Sequence, residues 1–261
     1  MKTGERLVPD LYRSEPEYIL YLRHLFAYRF AAAMARADQA ILDVGSGTGY
    51  GTRLLAETGA AVIGTDIDDA SISEATAAYG TERCSFVPYD GRRLSFGAFN
   101  MVTSFQTIEH VEDDRNFVAE VRRVLRPGGT FVLTTPNRLT RVPVRRKPWN
   151  RFHVREYTPA DLRVLLESSF ARTAIEGVRA SAAIESIERK RVAAANRIAG
   201  LDPLNLRHLV PAALIAVLAN RRSDRTSDRD LERFTRTHSL DDFYASSETV
   251  EDAMDLMAIC R

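Results

Sequence analysis

The sequence predicts an α/β protein built on a doubly wound, mostly parallel sheet of seven strands, and three observations carry that prediction. Short apolar runs alternate with segments of helical periodicity from residue 40 onward, the pattern of successive strand–helix units whose strands lie parallel. A glycine-rich turn, Gly45-Ser46-Gly47-Thr48-Gly49, joins the first run to the helix after it, and an acid, Asp66, ends the second run. The 261 residues, 45% hydrophobic and 27% charged, have an ordinary globular composition. They read as one unit: a helical segment at 1–37, a core at 38–179, a helical insertion at 180–247 and a last strand at 248–261.

In chain order, residues 15–37 read as a helix, with Pro16 in its first turn and Ile19, Leu22, Leu25, Phe26 and Phe30 at helical spacing. Strands follow at 40–44, 61–65, 84–88, 101–105 and 130–134, separated by helices at 50–58, 70–79 and 114–125. Gly59 ends one of these helices, and Arg126-Pro127-Gly128-Gly129 ends another. A helix at 159–168, a sixth strand at 174–178 and a last strand at 254–260 complete the pattern. Residues 180–247 break the rhythm with an Ala- and Arg-rich helical stretch, and the mixed signs of 221–236 mark a solvated face.

Composition narrows the partners. With 36 basic and 35 acidic residues the net charge is +1, so no global field favours nucleic acid. Cys84 and Cys260 are too far apart, and too poor in neighbouring ligands, for a disulfide framework or a structural zinc. The start lacks the apolar core of a signal peptide, and the longest apolar run, 211–219, is far too short to span a bilayer. A cytoplasmic protein with no membrane partner is expected, and self-association is left open.

Glycines in a strand-to-helix turn let backbone approach a ligand beside unpaired helix N–H groups. The dinucleotide fingerprint fails, because its last glycine position is Tyr50, and the Lys of a phosphate loop is absent. The run Asp43-x-Gly45-x-Gly47-x-Gly49 resembles the first motif of class I S-adenosylmethionine-dependent methyltransferases, a Rossmann-like family, and particularly those acting on sugars, polysaccharides and natural-product glycosides. The resemblance implies S-adenosylmethionine as cofactor, its methionyl moiety held by Asp43, Gly45, Ser46, Gly47 and Gly49. Asp66 would accept the ribose hydroxyls, Ile67 would lie beside the adenine, and Asp90 with Gly91 would approach its amino group. A turn or helix cap is the competing role for Asp90. More loosely, Gly4-Glu5-Arg6 with His24 and Tyr28 is similar to an N-terminal segment that closes over the cofactor in such relatives, the alternative being simple packing with Arg6 in solvent.

The acceptor side is read from Gln106-Thr107-Ile108-Glu109-His110 after the fourth strand and Phe152-His153-Val154-Arg155-Glu156 after the fifth. Methyl transfer to a hydroxyl benefits from a base, and His110 or His153, oriented by Glu109, are the candidates. In metal-dependent relatives two Glu in E-x-x-E-H and a later His hold a divalent ion; the matching set here is Gln106, Glu109, His110 and His153, with Gln106 also facing the cofactor. The neutral Gln106 weakens a site for Mg²⁺ or another divalent cation. Arg138, Arg141, Arg145, Arg146, Lys147 and Arg151, with Trp149, form a basic stretch able to receive an anionic acceptor or simply to be solvated. The expectation is O-methylation of a sugar, glycoside or related small metabolite; RNA ribose 2′-O-methylation and a non-catalytic cofactor-binding scaffold are the alternatives.

Overall fold

The computed structural model describes residues 12–94, 97–141, 148, 150, 152–200 and 228–261, with the backbone alone at 198–200. Its sheet has eight strands in the order β3-β2-β1-β4-β5-β8-β6-β7. These are β1 (Ala40–Val44), β2 (Ala61–Asp66), β3 (Cys84–Pro88), β4 (Phe99–Phe105), β5 (Leu125–Pro136), β6 (Thr173–Ala180), β7 (Phe243–Ser246) and β8 (Asp255–Cys260). The helices are α1 (Glu15–Met34), α2 (Tyr50–Ala56), α3 (Asp69–Tyr79), α4 (Asp114–Val124), α5 (Arg138–Arg141), α6 (Pro159–Glu167), α7 (Ala182–Gly200) and α8 (Asp228–Thr237).

The α/β class and the mostly parallel sheet are as the alternation predicts, but the count of seven strands is corrected to eight. The extra strand, β7, lies inside the stretch expected to be a helical insertion and pairs antiparallel with Gly177–Ala180 of β6. Four residues behind a charged helix carry too little periodicity to announce a strand; what holds them is the open edge of β6. β5 is also longer than expected. Arg126-Pro127-Gly128-Gly129, read as a turn, is instead taken into the strand as an irregular stretch, with Gly128 at φ 75°, Leu125 paired to Phe99 and the register shifting between Phe99 and Met101. Pro127 has no N–H to give, so a bulged stretch is where the strand can accept it.

Alternation of side chains along the strands sends Ile41 and Val132 to one face and Leu42, Phe131 and Leu133 to the other. The first face is covered by Ile19, Leu22 and Ala27 of α1 with Leu55 of α2, the second by Val118 of α4 and Leu162 and Leu166 of α6. Among the described residues no helix is long and apolar enough to cross a membrane. β1 lies between β2 and β4, so successive crossovers leave it in opposite directions, and the crevice above its carboxyl end is where such sheets bind ligands.

The approach of α1 to α2 is set by a glycine. A Cβ on Gly51 would collide with the ring of Tyr28, which is buried against Phe105 at 4.8 Å between centroids. The expected result for Gly51→Ala is a loss of about 1–3 kcal/mol in urea unfolding, the usual penalty of overpacking; unchanged stability would show that α1 adjusts freely.

Candidate functional site

The site grows from the end of β1. Asp43 is fully buried, and its carboxylate accepts from Thr52 Oγ1 at 2.6 Å, Thr103 Oγ1 at 2.8 Å and Tyr28 OH at 3.1 Å. Burial pushes its carboxyl up to about 6, against the pull of those three donors. It therefore fastens α1, α2 and β4 together beneath the turn. Gly45, Gly47 and Gly49 all have positive φ, and a Cβ on Gly45 would collide with Thr107. The Gly45 and Ser46 amides donate to the Thr65 carbonyl at 2.8 and 3.0 Å, so the turn is stitched to β2.

Above the turn lies a cavity of about 800 Å³, bordered by Gly45, Ser46, Gly47, Asp66, Ile67, Asp90, Gly91, Gln106, His110 and His153. Asp66 accepts the Gly47 amide on one carboxylate oxygen and the Asp68 amide on the other. A carboxylate has lone pairs beyond those two bonds. Ile67 is half exposed in the cavity wall. Asp90 uses Oδ1 to cap the amides of Arg92 and Arg93, which hold its carboxyl below the usual range; the turn role competing for this residue is thus present in the structure. Gln106 has φ 51°, uncommon for a residue with a side chain, at the point where β4 leaves the sheet.

The sequence pieces after β4 and β5 do meet. The rings of His110 and His153 are 4.8 Å apart and nearly perpendicular, and candidate ligand atoms of Glu109, His110 and His153 all lie within 4.8 Å of one another. His110 Nδ1 lies 3.0 Å from the Phe152 carbonyl oxygen, which can only accept, so Nδ1 carries the hydrogen and Nε2 is the basic nitrogen of the neutral ring. His153 Nδ1 lies 2.8 Å from Glu156 Oε1, which orients that ring in the same way. Glu109, expected to orient a histidine, instead takes a hydrogen bond from Thr135 Oγ1 at 3.0 Å and leaves Oε1 buried without a hydrogen-bond partner. Burial raises its carboxyl to about 7, partly countered by His153. The Gln106 amide is 3.4 Å from Thr134 Oγ1.

Other residues border the cavity that sequence reasoning does not single out. Tyr50 OH and Ser46 Oγ are buried beside the turn without hydrogen-bond partners, as a site awaiting a polar ligand would leave them. In the sequence, Tyr50 stands out only as a missing glycine. Arg23 and Arg191 border the cavity too, beside Arg141, which belongs to the basic stretch read from the sequence. Arg23 is buried between Asp255 at 2.9 Å and Glu188 at 3.1 Å, pairings across 232 and 165 residues that no local pattern announces. Arg6, Arg145, Arg146, Lys147, Trp149, Arg151 and residues 201–227 of the insertion lie outside the described residues.

Comparison with known proteins adds to this geometry. Residues 42–133 match the methyltransferase domain family. A probable S-adenosylmethionine-dependent methyltransferase of Mycolicibacterium smegmatis is 34% identical over 98% of this chain and 93% of its own length. A ubiquinone biosynthesis O-methyltransferase of Paramagnetospirillum magneticum is 34% identical over 49% of this chain and 54% of its own. Among solved structures, the YcgJ protein from Bacillus subtilis aligns over 90% of this chain and 97% of its own with a TM-score of 0.53; at 17% identity it speaks for the fold alone.

Glu109 gives the site a pH signature. Unfolded, its carboxyl has the ordinary value of 4.5, whereas folded it keeps its proton to about 7. Its contribution to stability is therefore full below the lower value and lost as pH rises through the higher. Glu109→Gln removes this dependence, so between pH 4 and pH 8 the stability of the variant relative to the wild type should improve by roughly 3 kcal/mol. Parallel melting curves across that range would sink the assignment.

Proposed function

The chain belongs to the class I S-adenosylmethionine-dependent methyltransferases, and from that premise we propose that it methylates a hydroxyl of a sugar, glycoside or related small metabolite, with a histidine of the His110–His153 pair as general base. The observation that carries this reading is the pair itself: two imidazoles at the carboxyl end of the sheet, each with Nδ1 fixed by an acceptor and Nε2 left as the basic nitrogen. S-Adenosylmethionine, when bound, would supply a sulfonium methyl group, its sulfur–carbon bond breaking as the oxygen–carbon bond forms and S-adenosylhomocysteine leaving.

The turn fits that group. Positive φ at Gly45, Gly47 and Gly49 brings backbone to the cavity wall, and Ser46 Oγ with Tyr50 OH gives the methionyl moiety a pair of buried polar atoms to meet. Asp66 would accept the ribose hydroxyls with Ile67 beside the adenine, while Asp90, Gly91 and Gln106 border the same space. Asp43, which accepts from Tyr28, Thr52 and Thr103 and does not border the cavity, would serve by holding the turn in place. The base takes the acceptor's hydroxyl proton as the new oxygen–carbon bond forms. The similarity to an O-methyltransferase of ubiquinone biosynthesis supports oxygen as the receiving atom.

Asp66→Ala should weaken S-adenosylhomocysteine binding about tenfold to a hundredfold, the worth of charged hydrogen bonds, as read by calorimetry. His110→Ala and His153→Ala should retain that binding while at least one loses about 10²–10⁴ in kcat on a responsive glycoside. Wild-type turnover in both histidine variants would exclude the base role.

One observation favours a second reading, in which a divalent cation sits among Glu109, His110 and His153: their candidate ligand atoms cluster. Two ligands on one ion with bonds of about 2.1 Å lie no more than about 4.2 Å apart, so a spread of up to 4.8 Å suits an ion only after the side chains close on it. Metal-free enzyme in excess EDTA should therefore keep its rate; a tenfold loss restored by magnesium would decide for the cation.

A further inference from the structure

The wall of the large cavity is uneven in charge. After β2 and β3 it carries Asp66, Asp68 and Asp90 with Arg92, and after β4 Glu112 and Asp113; Arg23, Arg141 and Arg191 border it together with His153. The carboxylates that hold those arginines stand behind them. Asp255 and Glu188 fix Arg23, Glu188 grips Arg191 through both oxygens at 2.9 and 3.0 Å, and Glu156 lies 3.6 Å from Arg141. None of these three acids borders the large cavity. A second cavity of about 460 Å³ lies against the same three arginines, so they form a partition with space on both sides.

We infer that the acceptor carries an anionic oxygen group, a phosphate or carboxylate, which Arg141 and Arg191 receive on the large-cavity side of that partition. This rests on the large cavity being the methyl-transfer site, and it specifies the acceptor's class. The chemistry follows from how the cations are set. Guanidinium presents a planar fork matched to two oxygens, and its strength grows where water is excluded. Arg141 is only 7% exposed. Burial pulls its guanidinium below the ordinary value, Glu156 and Asp255 offset this in part, and Arg23 and Arg191 push the same way as burial. An incoming anion adds to that offset from the cavity side, which none of the three carboxylates borders. Glu156 touches both Arg141 and the imidazole of His153, so the group received by the arginines is held next to the proposed base.

Such an anion could also be the cofactor's own carboxylate, and the experiment separates the two sources. Inorganic phosphate is titrated into the full chain saturated with S-adenosylhomocysteine, following the melting temperature against chloride at equal ionic strength. Arg191→Gln and Arg191→Lys test the partition, since Arg191 is partly exposed and Glu188 keeps Arg23 as partner. Arg189→Gln, whose side chain is 72% exposed and borders the second cavity alone, serves as the control. The expected result is stabilisation by phosphate, about tenfold weaker in Arg191→Gln, partly restored in Arg191→Lys and unchanged in Arg189→Gln, with S-adenosylhomocysteine affinity the same in all four proteins. Phosphate without effect, or equally effective in every protein, overturns the inference. So does phosphate that displaces S-adenosylhomocysteine together with a loss of its affinity in Arg191→Gln, which would assign the arginines to the cofactor. Failure of the wild type to bind S-adenosylhomocysteine would instead remove the methyl-transfer reading and this inference with it.

Discussion

Everything at the carboxyl edge of the sheet hangs on the buried carboxylate of Asp43. A charge with no exposure is costly unless hydrogen bonds replace its water, and here the replacements come from three elements: Tyr28 of α1, Thr52 of α2 and Thr103 of β4. Each bond to an ionised group is worth about 1.5–3 kcal/mol, but the geometric consequence exceeds the energetic one. The N-terminal helix, the helix after the glycine turn and the strand on the far side of the switch point are tied to one side chain. Tyr28, in turn, occupies the space that Gly51 leaves open.

From that bracket the two halves of the cavity diverge in character. The half over β1 and β2 is made of backbone: positive-φ glycines, amides stitched to Thr65, and Asp66 accepting from Gly47. The half over β4, β5 and β8 is made of long side chains held by buried counter-charges, with imidazoles at the boundary between them. A shallow, backbone-lined half suits a ligand of fixed shape, and a side-chain-lined half can change its acceptor by substitution while the fold stays the same. That is a physical reason why the cofactor is easier to name than the substrate.

The same division sets what the sequence disclosed. The strands from β1 to β4, the glycine turn and Asp66 were legible because each is a local pattern: a short apolar run, a cluster of glycines, an acid ending a strand. The pieces carrying His110 and His153 were legible as pieces, but their contact depends on β5 standing next to β4. Glu156 as the partner of His153, Tyr50 as an orphaned hydroxyl and Arg23 between Glu188 and Asp255 were not legible, since burial and pairing at these residues are decided by elements far away in the chain. β7 escaped for a related reason, as an edge strand of four residues is defined by its neighbour more than by itself.

The reach of those pairings bears on the order in which the molecule can assemble. Asp43 meets Thr52 and Tyr28 across 9 and 15 residues, whereas Arg23 meets Asp255 across 232. By loop-closure entropy alone, closing the longest of these costs about 2 kcal/mol more than closing the 15-residue loop, and contacts of high sequence separation slow folding. The cofactor half can thus condense around Asp43 while the arginine partition is still unmade. It is completed only when β8 inserts between β5 and β6 and carries Asp255 to its cation.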